Sequence, residues 1–223
     1  MNTSLSALRQ FDVGISCSGL ILNGNVVTPA DAKGLVIFAH GSGSSRLSPR
    51  NRIVAGQMHR MGFATLLFDL LTPEEARAAA LRFNIPLLTR RLAAATRWAQ
   101  QQSELKKMKI GYFGASTGAA AAIAAASAIP EIKAIVSRGG RADLAVDAAS
   151  RIKSPTLLIV GDLDYPVVEW NQEVYSRLSC TKSLSLIRGA SHLFQEPGTL
   201  EQVAQEAATW FETHLINVNE GRN

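Results

Sequence analysis

Five short, unbroken apolar runs set the strongest limit on how this chain can fold. They are Gly34–His40, Phe63–Leu70, Ile110–Ala115, Ile132–Ser137 and Thr156–Val160. A strand with one wet face alternates apolar with polar residues. A run without alternation is apolar on both faces and must be covered on both. Helical stretches separate the runs: Pro49–Met61, Ile85–Gln102 and an alanine-rich Gly118–Ile129, with Val168–Leu178 after the fifth run. A short strand at Leu184–Ile187 and a last helix over Leu200–Ile216 close the pattern. Strand and helix in alternation predict a mostly parallel sheet between two helical layers, a three-layer α/β fold. The opening, Val13–Thr28, reads instead as a hairpin about Asn23-Gly24, which gives the sheet an antiparallel N-terminal edge. No shift in composition marks a second domain, and Arg138–Ser154 is too short to be a lid domain. One domain over residues 1–223 is the expectation.

Composition removes several function classes. With 47% hydrophobic and 18% charged residues the chain has enough apolar surface for a sizeable core, which excludes disorder throughout. The net charge of +5 raises the question of nucleic acid, but 18 acids are interspersed among 23 Lys and Arg. The densest basic stretches, Ser45–Arg60 and Lys106–Lys109, lack the interleaved aromatics that stack on bases, so no nucleic-acid partner is expected. Cys17 and Cys180 are too few for a disulfide scaffold and fit no metal spacing. Both read as small buried hydrophobes, and neither a metal nor a cofactor is expected. Met1–Asp12 lacks the apolar core of a secretory leader. The longest apolar run, Ala119–Ala126, falls far short of the ~20 residues that span a bilayer. A soluble, cytoplasmic protein with a small-molecule substrate and no membrane partner is expected, and a homodimer is compatible with this reading.

Function in such sheets collects beyond the carboxyl ends of the strands. After the third run comes Gly114-Ala115-Ser116-Thr117-Gly118, then the alanine-rich helix. This is G-x-S-x-G in the strand, turn, helix setting that gives the motif meaning, with Ser116 as the candidate nucleophile. A turn this tight brings chains so close that side chains at 114 and 118 would collide, and the helix start favours negative charge nearby. After the fifth run, Gly161-Asp162-Leu163-Asp164 offers two acids, either of which could cap the next helix or orient an imidazole. His192 lies past the Leu184–Ile187 strand. Ser, Asp, His is the chain order that this architecture uses. A developing oxyanion needs about two fixed donors. The Thr117 amide is one candidate, and the Ser42 amide, in the loop His40-Gly41-Ser42-Gly43 after the first run, is the other. His40 reads as a structural hydrogen-bonder in that loop, and His59 and His214 as surface residues. Arg138, at the end of the fourth run, and Arg46 and Arg50, beyond the first loop, are candidates for holding an anionic group of the substrate. Bracing of the loop by a pair between Arg138 and a nearby acid such as Asp143 is the alternative for Arg138.

These stretches, with Gly161-x-x-Asp164 and the His192 loop, resemble the α/β-hydrolase superfamily in register from about Gly34 to His214. The short, lidless build resembles its dienelactone-hydrolase-like branch. The resemblance implies a serine hydrolase acting on an ester, thioester or lactone, and it selects Asp164, the last position of G-x-x-D, over Asp162. The chain departs from that branch in carrying Ser116 where a Cys is usual, and Ser42 and Ser44 where the first loop usually has an acid. The stretch Ser45–Asn51 is similar to hydrolase domains that are sometimes joined to phosphoribosyltransferases, and no such partner domain is expected in this chain. A nucleotide-binding reading of Gly41-Ser42-Gly43 lacks its third glycine, with Arg46 in that place, and Asp69 is too far along for a ribose ligand. A non-catalytic descendant of the fold, used as a binding module, is the remaining alternative.

Overall fold

The computed structural model describes residues 7–216 of the chain. Eight strands form a single sheet in the order β1-β2-β4-β3-β5-β6-β7-β8. They are β1 Leu8–Cys17, β2 Leu20–Pro29, β3 Leu35–Ala39, β4 Ala64–Phe68, β5 Ile110–Ala115, β6 Ile132–Arg138, β7 Thr156–Gly161 and β8 Lys182–Ile187. All pairs from β4 to β8 are parallel, and the β1–β2–β4 edge is antiparallel, as the sequence predicts. The helices are α1 Pro49–Arg60, α2 Ala79–Arg82, α3 Ile85–Gln101, α4 Thr117–Ala126, α5 Val146–Ala149, α6 Tyr165–Arg177 and α7 Thr199–Phe211. Between β6 and β7 the chain makes only a short turn and α5. The outermost parts of the expected domain, and the first residues of the Met1–Asp12 segment read as free of a leader, lie outside the described residues.

The unbroken apolar runs do what the lack of alternation requires. Val36, Phe38, Phe113, Val136 and Ile159 face one side, where Met58 of α1 and Phe211 of α7 cover them. Their sequence neighbours Ile37, Tyr112, Ile135 and Leu158 face the other side, against Leu92 of α3 and Ile123 of α4. Each fully buried side chain of this size contributes roughly 1.5–3 kcal/mol, so two continuous cores rather than any single contact hold the layers together. Helix starts follow from local chemistry. Ser48 accepts from the Asn51 amide ahead of Pro49, and Asn84 accepts from the Leu87 amide ahead of Pro86.

Two expectations are corrected. The hairpin turns at Ser18-Gly19, where φ is +50° and +79°, and Asn23-Gly24 lies inside β2. Both dipeptides suit a tight turn. The earlier one leaves two ten-residue strands and brings Ile15 opposite Leu22, with Val26 on the same buried face. Gly24 serves packing instead, since a Cβ there would lie 2.9 Å from Val13 Cγ2. His59 and His214 are half-buried rather than surface residues. The His214 ring lies 4.1 Å from that of Trp210. His59 Nε2 is 2.8 Å from Thr65 Oγ1 across the α1–β4 contact.

Burial, helped by the charge of Arg60, pushes the His59 ring down to about 4. The unfolded ring titrates near 6.5, so the stability tied to the neutral ring is full above about pH 6.5 and lost as pH falls towards 4. Urea midpoints at pH 7.5, 5.5 and 4.5 should therefore fall more steeply for the wild type than for His59→Gln, which keeps a hydrogen-bonding group beside Thr65 but has no proton to gain.

Candidate active site

The parallel register brings the ends of β3, β5, β6 and β7 to one edge, since Ala39 pairs with Gly114, Ala115 with Arg138, and Arg138 with Ile159. Ser116 sits at that edge between β5 and α4, with φ +51° and ψ −120°. A non-glycine residue rarely adopts such a backbone, and holding it costs about 1–3 kcal/mol. The surroundings impose it. A Cβ at Gly114 would lie 2.5 Å from Ala119 Cα, and one at Gly118 would lie 2.1 Å from the Ala39 carbonyl oxygen. The Ser116 amide donates to the Arg138 carbonyl at 3.1 Å, and the Ser116 carbonyl accepts from the Ala119 and Arg141 amides at 3.0 and 3.1 Å. Three backbone hydrogen bonds thus fix the strained residue, while its side chain stays half-buried.

The two acids after β7 part company. Asp162 accepts from the Gly189 amide at 2.7 Å and braces the loop after β8. Asp164 Oδ2 stands 2.6 Å from His192 Nδ1, and although Asp164 precedes α6, its side chain caps no amide there. The His192 ring rests against Gly139, where a Cβ would come 3.6 Å from His192 Cε1. Gly139 follows the residue whose carbonyl holds the Ser116 amide, so ring and hydroxyl occupy neighbouring loops. No hydrogen bond joins Ser116 Oγ to the ring among the described residues, and such bonds often tighten only when substrate binds. Two residues on, Phe194 is buried in the α1–α7 core with φ +53°.

His40 is the structural hydrogen-bonder expected of it. The Leu70 amide donates to its Nε2 at 3.0 Å, which leaves the proton on Nδ1, 3.0 Å from the Gly41 carbonyl. Burial pushes this ring down, against the pull of the Gly41 carbonyl and Asp69. His40, Ser42, Leu70, Leu71, Arg82 and Thr117 border a cavity of about 240 Å³. Ser116 stands at its margin, since a Cβ on Gly41 would lie 3.0 Å from Ser116 Cβ. The Ser42 and Thr117 amides accordingly border one space. Thr117 opens a helix, whose first amides have no partner in the helix, and neither amide donates to another group among the described residues.

The arginines divide. Arg46 is bound to Asp69 through both its amide, at 2.8 Å, and its Nη1, at 2.5 Å, so its charge is already answered and it drops out of the anion-binding set. The same pair occupies the carboxylate weighed as a ribose ligand. Asp143 pairs with Arg141, not with Arg138, so the brace expected from Asp143 is not made. Arg138 is 7% exposed, and its Nε and Nη1 are buried without a partner, as is Nε of Arg50. Burial, then the charge of Arg50, pushes the Arg138 guanidinium down to about 10. Sequence reasoning did not find Arg82 on the cavity wall or Phe194 behind the His192 loop, because spacing alone does not reveal which helix end or loop folds back over the site.

The sequence pattern of the dienelactone hydrolase family matches residues 22–215. The chain belongs to the dienelactone hydrolase family. Family members include a protein of Anabaena variabilis, described as a dienelactone hydrolase, whose crystal structure is 50% identical with a TM-score of 0.90, covering 93% of this chain and 99% of that one. Est1E of Butyrivibrio proteoclasticus shares the fold at 18% identity and a TM-score of 0.78, over 90% of this chain and 97% of its own. Two curated proteins from Mycobacterium tuberculosis strains, which carry the provisional name phosphoribosyl transferase, are 50% identical over 93% of this chain and 47% of theirs. The chain thus spans about half the length of the curated relatives it matches. Among the described residues no helix is long and apolar enough to cross a membrane.

The strain at Ser116 has a measurable consequence. Glycine adopts positive φ freely but adds entropy to the unfolded chain, so Ser116→Gly should stabilise the protein by a net of about 1 kcal/mol. That shift should appear as a higher urea midpoint with an unchanged slope. Gly118→Ala, which drives a methyl group into backbone, should leave little folded protein.

Proposed function

We propose that this chain is a serine hydrolase that cleaves a small ester, thioester or lactone through an acyl-enzyme on Ser116. The observation that carries this reading is the 2.6 Å contact between Asp164 and His192 beside the strained turn that presents Ser116. Ser116 Oγ attacks the substrate carbonyl carbon while its proton passes to His192 Nε2. Asp164 holds the proton of Nδ1 on its own side, which leaves Nε2 free to accept, and it stabilises the imidazolium that forms. The amides of Ser42 and Thr117 receive the oxyanion, and the start of α4 adds its positive end to theirs. Collapse of the tetrahedral species breaks the bond to the leaving oxygen or sulfur, which takes the proton from His192. Water then attacks the acyl group by the same route, releasing the acid and restoring Ser116.

The family and the 50%-identical relative described as a dienelactone hydrolase support hydrolysis of an ester-type bond. The transferase name of the mycobacterial relatives belongs to proteins about twice as long, and the present reading concerns only the segment they share with this chain. Ser116 stands where that branch usually has a cysteine, so the acyl-enzyme is an oxygen ester rather than a thioester, and its deacylation depends on His192 acting as a base.

A fluorophosphonate probe should add one adduct, on Ser116, and none to Ser116→Ala. Asp164→Asn should lower kcat on p-nitrophenyl acetate by on the order of 10³–10⁴-fold, because the imidazole loses the group that sets its tautomer. Asp162→Asn should lower it by less than about tenfold. The reverse ranking would assign the role to the other carboxylate. Absence of both adduct and turnover across ester, thioester and lactone panels would make the chain a binding module.

A further inference from the structure

Two arginines near the catalytic edge feel one another's charge, and neither forms an ion pair among the described residues. Arg138 ends β6, and Arg50 lies in the first turn of α1, which follows β3. In the sheet, β5 lies between β3 and β6, and Ser116 follows the end of β5. The alternation along β6 puts Arg138 on the same face as Val136, and that is the face α1 covers. Its guanidinium carbon lies 5.9 Å from the centroid of Phe194, two residues past His192. The side chain is more than nine-tenths buried, yet it makes no hydrogen bond or ion pair among the described residues.

A buried charge without a partner is costly, and proteins ordinarily supply one. This fold supplies partners for other arginines. Arg46 has Asp69, Arg141 has Asp143, and the buried Arg91 has Glu75 at 2.8 Å. For Arg138 the nearby charge is another cation, Arg50. The start of α1 adds to the imbalance, because the first turn of this twelve-residue helix carries no acidic residue although its positive end favours one.

We propose that Arg138 and Arg50 form an anion subsite beside Ser116 that holds a phosphate-type dianion carried by the substrate. The proposal rests on the reading of Ser116 as nucleophile only for what the subsite is for. The charges choose the ligand. Two guanidiniums, one buried and one half-buried, and a helix start are balanced by a dianion, whereas a carboxylate would answer only one of the two cations. Each planar guanidinium also presents paired donors that match the oxygens of a phosphate. The substrate class is therefore an ester or thioester with a phosphate monoester on the part that lies towards α1.

The probe is inorganic phosphate at pH 8, where it is mostly dianionic, with acetate at equal ionic strength as the monoanion control. Phosphate at ten times its Kd should raise the wild-type Tm by roughly 3–5 °C, and acetate should not. Arg138→Met should abolish that rise and should melt, without phosphate, no lower than the wild type, since it removes an unanswered buried charge while keeping the volume. A brace would behave oppositely, and a variant that melts early would overturn the proposal. Arg50→Gln, at a half-buried helix start, should weaken phosphate binding at least tenfold. An aryl acetate bearing a phosphate monoester should exceed its neutral alcohol counterpart at least tenfold in kcat/KM, and Arg138→Met should erase the preference. A wild-type Tm indifferent to phosphate, an equal response to acetate, or a phosphate response that survives in Arg138→Met each overturns the subsite. These outcomes separate from the fate of the hydrolase reading. Failure of the fluorophosphonate to label Ser116 leaves the thermal result standing, and a labelled Ser116 with an indifferent Tm removes the subsite alone.

Discussion

The Gly118 backbone passes so close to the end of β3 that a single carbon atom there would lie 2.1 Å from the Ala39 carbonyl oxygen. This contact sets the rest of the site. It draws the start of α4 against the neighbouring strand, leaves no room to relax the turn and so holds Ser116 at positive φ. The same approach seats the Thr117 amide beside the loop that carries Ser42. The small residues along α4, six of them alanines wholly or almost wholly buried, let the entire helix settle on the sheet at that distance. Local strain at one residue is thus balanced by contacts spread over two layers, which is how a folded protein holds a conformation that its own sequence disfavours.

Much of this frame is legible from residue order because it rests on local rules. Runs such as Leu35–Ala39 and Thr156–Gly161 announce strands buried on both faces, and Ser48-Pro49 and Asn84 announce helix starts. The edge carrying Ser116, Asp164 and His192 follows from strand direction alone. The parts that were not legible depend on which of several equivalent signals is used, or on what arrives from far along the chain. Ser18-Gly19 and Asn23-Gly24 offer the same turn chemistry, and the sheet decides between them through the pairing of Ile15 with Leu22. Asp69 lies 23 residues from Arg46, and nothing in the intervening sequence says that they meet. Asp143 was placed near Arg138 by proximity in sequence, yet it pairs with Arg141, and Trp170 lies 4.5 Å from that guanidinium carbon. His59 looks like one more polar residue of an amphipathic helix until β4 places Thr65 against it.

The loops around the site are held by means that differ in kind. The loop after β8 is gripped at three points, by Asp162 on the Gly189 amide, by the Leu163 amide on the Ala190 carbonyl at 3.1 Å, and by Phe194 driven into the core. Two of these grips are polar and one is apolar, so no single change of pH or salt loosens all of them. That redundancy fixes where the His192 ring stands. The loop after β3 is held by the Ser44 amide on the Gly41 carbonyl at 3.2 Å, by the ring of His40, and by Arg46, whose amide and guanidinium both reach Asp69.

His40 joins two things that a substrate would otherwise feel separately. One side of its ring meets the Gly41 carbonyl, in the loop that carries the Ser42 amide, and the other accepts from Leu70, on the wall of the cavity. Pushing that wall outward to admit a bulkier group also pulls on the ring that steadies the loop. Changes that widen the cavity near Leu70 and Leu71 therefore carry a built-in penalty in the geometry of the loop that carries Ser42. Pro73, Ala76 and Arg82 border the same space, and none of them is hydrogen-bonded to the ring. Through His40, the shape of the cavity along the Leu70 edge and the setting of the Ser42 loop are mechanically one thing.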